Sequence, residues 1–89
     1  MSRSPEFDWD AANAGHIARH GVSPDEVEQA FGNRPLATLA RQKRGGEDRV
    51  LCAGKTDSGR AVQFVYTIRR GKIRIITAHT AKRRVREKL

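Results

Sequence analysis

Along the first ten residues, Phe7 and Trp9 alternate with Glu6, Asp8 and Asp10. A period of two is that of a short strand with one apolar face, and the acidic neighbours suit a sheet edge. Asp10 then stands at the cap position for AANAGHIARHG, where Ala14, Ile17 and Ala18 recur at helical spacing and Gly21 supplies the stop. Gly15 weakens this helix by about 1 kcal/mol relative to alanine. Ser23-Pro24-Asp25-Glu26 opens a second helix: serine caps, proline takes the first helical position, and Glu26 closes a capping box. Val27, Ala30 and Phe31 form its inward stripe, and Gly32-Asn33-Arg34-Pro35 ends it.

The pattern then changes from helical to alternating. Leu36 to Ala40 reads as a weak strand and the charged run RQKRGGED as a loop or wide turn. Arg49 to Gly54, Ala61 to Ile68 and Lys72 to Ala78 read as three strands joined by glycine-containing turns, which suits antiparallel hairpins. Val62, Phe64, Tyr66 and Ile68 share one face of the longest strand and Gln63, Val65 and Thr67 the other, so that strand is central. Thr80 is placed to cap a final basic helix, AKRRVREKL, whose apolar stripe is only Ala81, Val85 and Leu89. The predicted class is α+β, with two N-terminal helices packed on a mainly antiparallel sheet and a short basic C-terminal helix. Val65 and Ile76 require that the other sheet face be covered by the last helix or a partner, or serve as a binding surface.

Eighty-nine residues make one domain, residues 1–89, with a small core and no room for a separate cofactor domain. No cofactor is therefore expected. The charge is uneven: residues 1–33 hold two basic and six acidic side chains, and residues 34–89 hold 16 basic and four acidic. Thirteen of the 18 basic residues are arginine, the side chain that grips phosphate bidentately. Nucleic acid is thus the first partner to consider and an acidic protein the second. Cys52 is the lone cysteine, in the apolar run VLCAG, and reads as a buried, inert thiol. No stretch approaches a membrane span and MSRSPEFDWD has no apolar signal core, so a cytoplasmic protein without membrane contact is expected.

His16, His20 and His79 are the three histidines. His16 and His20 are four apart but lack acidic or cysteine companions, so no metal site is predicted. His20 precedes Gly21 and suits helix capping. His79 ends the strand RIITA beside an arginine-rich helix start, where an imidazole can exchange protons while Arg74, Arg83 and backbone amides hold a phosphate. Cleavage of RNA needs a base for the 2′-hydroxyl, charge stabilisation of the phosphorane and a proton for the leaving oxygen. Tyr66 is either a core tyrosine or a base-stacking platform. Glu47 and Arg49 share a strand face and form an ion pair there.

The segments FDWD, ARHGVSPDEVEQAF, GEDRVLCAG and VQFVYTIRRGKIRIITAHTAKRRVREKL resemble, in this order, the BrnT family of type II toxins across nearly the whole chain. The resemblance implies a RelE-like fold, an endoribonuclease activity that inhibits translation, a ribbon-helix-helix antitoxin of the BrnA type, and operator DNA bound through the toxin–antitoxin complex. It implies an RNA-cutting surface of Arg49, Tyr66, Arg74 and His79, joined by Arg83 from the terminal helix. Arg19 and His20 match the family's basic K/R-H-G segment and approach the same cleft, and Lys72, Lys82, Arg84 and Arg86 are the further RNA-holding cations. Members more often carry arginine or lysine at position 79, so His79 replaces a permanent charge with a titratable one. The alternative is a non-catalytic nucleic-acid-binding module, a co-repressor with an acidic partner. A third reading is a subunit that binds an acidic protein and no nucleic acid.

Overall fold

A computed structural model describes residues 5–89. Two reciprocal caps set its helices. The Asp10 carboxylate accepts from the Asn13 amide at 3.0 Å while Asn13 Oδ1 accepts from the Asp10 amide at 2.8 Å, starting α1 (Ala11–Ala18). Ser23 Oγ and Glu26 Oε1 exchange the same pair of bonds at 3.2 and 3.0 Å, starting α2 (Pro24–Gly32). Between them the chain reverses through Gly21, whose φ of 73° favours glycine.

Four strands follow: β1 (Ala37–Arg44), β2 (Glu47–Lys55), β3 (Ala61–Arg69) and β4 (Lys72–Thr80), with a one-turn helix α3 (Arg83–Arg86) behind them. They pair antiparallel in the order β1-β2-β3-β4. The predicted α+β arrangement is observed, and its topology matches the RelE-like one. Phe7 adds a parallel bridge beside Ile73 at the outer edge of β4, through Asp8 N to Ile73 O at 2.8 Å and Ile73 N to Glu6 O at 2.9 Å.

Two expectations are corrected. The charged run after Ala40 is mostly strand, because β1 continues to Arg44 and only Gly45 and Gly46 turn. As an outer strand whose far half meets solvent, β1 needs no apolar alternation, and the two glycines supply the positive φ that a two-residue turn requires. The last helix is shorter than AKRRVREKL. Thr80 finishes β4 and accepts from Arg60 at 2.8 Å, so it caps nothing, and α3 begins only at Arg83. The Lys82 amide ahead of it donates to Gln63 Oε1 at 2.9 Å, so that donor is not free for a phosphate.

Both helices pack on one face of the sheet. Ile17, Val22, Val27 and Ala30 meet Val50, Cys52, Val62, Phe64, Ile73, Ile75 and Ala78, with Phe7, Trp9, Phe31, Leu36 and Tyr66 around the rim. Cys52 is buried there and desolvation pushes its thiol pKa up, as befits an inert side chain. A smaller cluster on the other face, Ala53, Ala61, Ala81 and Val85 with Leu39 and Leu89, seats α3 over one end of the sheet. No helix among the described residues is long and apolar enough to cross a membrane.

At Gly54 the layers approach so closely that an added Cβ would fall 2.4 Å from the Ala30 carbonyl oxygen. Gly54→Ala must push α2 off β2 and is expected to cost about 1–3 kcal/mol in urea denaturation. Acid is the second stress. The Ser23 amide, then Arg60, hold the Glu26 carboxyl below its ordinary value of 4.5. A lowered folded pKa means stability present above that ordinary value and lost as pH falls through the folded one. The denaturation midpoint is therefore expected to fall below about pH 4.5, and Glu26→Gln should be weaker at neutral pH yet lose less on acidification. An equal acid loss in both proteins removes Glu26 from this role.

Candidate functional site

Strand register writes the open face as transverse rows. Ala40, Leu51, Val65 and Thr77 pair in succession across all four strands, giving an apolar strip that ends in a hydroxyl. On one side of it lie Ala53, Gln63 and His79, next to α3. On the other, Gln42 pairs with Arg49 and Thr67 with Arg74; beyond them Arg44 pairs with Glu47 and Arg69 with Lys72. Arg74 and His79 are an odd number of residues apart and would occupy opposite faces of a regular strand. A bulge resolves this: Val65 pairs with Thr77 and Tyr66 with Ile75, leaving Ile76 unpaired and returning Arg74, Thr77 and His79 to one side.

At the β4 edge this face meets α1 in a pocket of about 380 Å³, lined by Asn13, His16, Glu47, Arg49, Arg69 and Arg74 among others. Asn13 holds α1 there, its buried amide donating at 3.0 Å to both Asp8 O and Ile75 O. One turn later His16 reaches the strip, with Nε2 3.2 Å from Thr77 Oγ1 and its ring edge-on to His20 at 5.3 Å between centroids. Glu47 spans two guanidiniums, Arg49 at 3.4 Å and Arg69 at 3.5 Å. The anticipated Glu47–Arg49 pair is therefore present.

The structure brings only some of the anticipated residues together. Arg49 lies in the pocket, and His79 lies on the same face beyond the apolar strip. The His79 Nδ1 donates to Thr80 O at 2.8 Å, which leaves Nε2 as the free acceptor. Tyr66 does not share this face. Its register opposite Val50 and Ile75 turns it to the helices, where it meets Phe31 edge-on at 5.5 Å and desolvation raises its pKa. Arg74 is 15% exposed and paired with Asp8 at 3.4 Å and Asp10 at 3.0 Å, so it fastens the chain start to β4. Lys72 is drawn off to Glu6 at 3.5 Å.

The terminal cations divide around α3. Lys82 and Arg84 line a groove with Leu39, Leu51, Gln63, Val85 and Lys88, which opens onto the apolar strip. Arg83 and Arg86 line a different cavity with Lys55 and Arg60. Arg19 and His20 are exposed at the end of α1. His16 and Arg69 were not anticipated; the only signal in the sequence was the four-residue spacing of His16 and His20. Among the described residues no group of three His, Cys, Asp or Glu side chains is placed to hold a metal ion.

Comparison with known families matches residues 9–84 to the one described as ribonuclease toxin, BrnT, of type II toxin-antitoxin system. The matched span contains every residue of the edge pocket and His79. No curated protein matches the chain.

Arg74 and Arg69 are expected to separate by stability. Arg74→Ala removes both ion pairs and the packing of a largely buried side chain, and should lower the melting temperature measurably. Arg69→Ala, on a half-exposed side chain, should stay within about 0.5 kcal/mol. Calorimetry of both variants checks the pair, and equal melting temperatures would show that Arg74 anchors nothing.

Proposed function

The chain belongs to the BrnT family of type II toxin–antitoxin toxins, and from that premise we propose that it is an endoribonuclease acting on RNA laid across the open face. A toxin of this family has a cognate antitoxin. The proposed partner is a ribbon-helix-helix protein that covers the open face and carries the complex to operator DNA.

The observation that supports cleavage over mere binding is the pair of imidazoles flanking one row of the sheet. His16 meets the strip at Thr77, and His79 lies two residues further along β4, about 7 Å of strand. His79 Nε2, free to accept, takes the proton of a 2′-hydroxyl as that oxygen attacks the adjacent phosphorus. The bond from phosphorus to the 5′-oxygen breaks, and His16 delivers a proton to that oxygen. The products are a 2′,3′-cyclic phosphate and a 5′-hydroxyl. Arg49 and Arg69 stabilise the phosphorane charge, while Glu47 fixes their orientation. Arg83 and Arg86 hold the RNA further along its backbone, and Arg74 acts by positioning. The proton chemistry is assigned to side chains, so activity is expected to survive a chelator.

Partner-free protein incubated with RNA and EDTA should release fragments ending in cyclic phosphate, with a bell-shaped dependence of rate on pH. His16→Ala and His79→Ala should each lower the rate about 10²–10⁴-fold. Wild-type rates in both folded variants would overturn this assignment. Tight, salt-dependent binding with the RNA left intact would instead favour the non-catalytic co-repressor.

A further inference from the structure

Between the basic pocket and α3 lies a niche of about 170 Å³, lined by Ala40, Gln42, Arg49, Leu51 and Val65. It has no part in the proton transfers above. Its floor is aliphatic: Ala40 pairs with Leu51 and Leu51 with Val65, and the latter two are half-buried. An apolar floor gives a phosphate nothing, and a surface so rich in guanidinium repels another basic protein. The face of a nucleobase meets both conditions, being flat and apolar while its own phosphates satisfy the surrounding cations.

Arg49 lines both this niche and the edge pocket, so the two lie side by side on β2. A base seated on Leu51 and Val65 therefore has its ribose-phosphate directed toward Thr77 and His16, along the row that joins Val65 to Thr77. On the α3 side, Leu51 also lines the groove of Lys82, Arg84 and Lys88. Cations thus stand on both sides of the seat, as a single strand entering and leaving it requires.

The five aromatic side chains cannot supply the stacking surface. Phe7, Trp9, Phe31, Phe64 and Tyr66 all belong to the helix-side core. The base must instead lie on the aliphatic floor of Leu51 and Val65, which leaves discrimination between bases to hydrogen bonding. Gln42, exposed and paired with Arg49 in register, is the neutral amide at the rim. Such an amide offers one donor and one acceptor side by side, the complement of adenine N7 and N6.

We infer that the Ala40–Leu51–Val65 niche is a nucleobase subsite for single-stranded RNA and that Gln42, meeting the N7 edge of a purine, makes it prefer adenine to guanine. The inference rests on the RNA reading given above and adds to it the specificity determinant.

The test separates base reading from cleavage by using 2′-O-methyl heptamers, in which the nucleophile is capped. They carry one variable base in an otherwise uridine strand, and affinity is read by fluorescence anisotropy on the full chain. The wild type is expected to bind the adenine heptamer about tenfold to a hundredfold more tightly than the guanine one. Gln42→Ala should collapse that ratio, and Gln42→Arg should move the preference to guanine, whose O6 and N7 both accept. Gln42 is exposed on an outer strand, so neither change threatens folding. Identical base ratios in all three proteins would overturn the inference. So would unchanged RNA affinities accompanied by loss of antitoxin binding in Gln42→Arg, which assigns the niche to the protein partner. Cutting of ordinary RNA by the wild type is scored separately, so a failed nuclease reading and a failed base subsite give different results.

Discussion

The outer edge of β4 is the constraint on which the rest is built. A terminal strand leaves a row of unpaired amides and carbonyls that must be satisfied or hidden. Here the chain start does part of the work through its bridge at Ile73, and the Asn13 side chain extends it by donating to Ile75 O. Asn13 therefore acts as a one-residue substitute for a fifth strand. Because the same residue closes the capping box of α1, sealing the edge and fixing the helix are one event. His16 comes to Thr77 as a consequence of that docking.

Charge follows the same geometry. The acidic first third of the chain folds back onto the basic remainder through Glu6 to Lys72, Asp8 and Asp10 to Arg74, and Glu26 to Arg60. The imbalance seen along the sequence is therefore partly cancelled in space. Glu47 is the acidic side chain that lines the edge pocket, shared by two arginines. The pocket can hold guanidiniums close together without unfolding and still present positive charge to a polyanion.

The helices were legible because their signals are local: a capping serine, a proline and a glutamate within four residues leave little choice of start. The alternation of β3 was equally legible, and it already placed Tyr66 on the same face as Val62 and Phe64. Grouping Tyr66 with Arg49 and His79 followed the family resemblance against that alternation, and the register decides for the alternation. Two things were out of reach. The bulge at Ile76 is set by pairing with β3 and leaves no mark in the composition of β4. The ion pairs of Arg74 join residues more than sixty positions apart, so nothing local to β4 shows that this arginine also fastens the chain start.

The terminal segment touches the sheet through Ala53, Ala61, Ala81 and Val85, with Leu39 and Leu89 packed at the margin, and its basic side chains are exposed. Few positions there are obliged to remain apolar. Cations can be gained, lost or moved between the two grooves on either side of α3 with little effect on the fold. The charge of both grooves is thus free to change without disturbing the sheet, which makes the tail the part of this fold least constrained by its own packing.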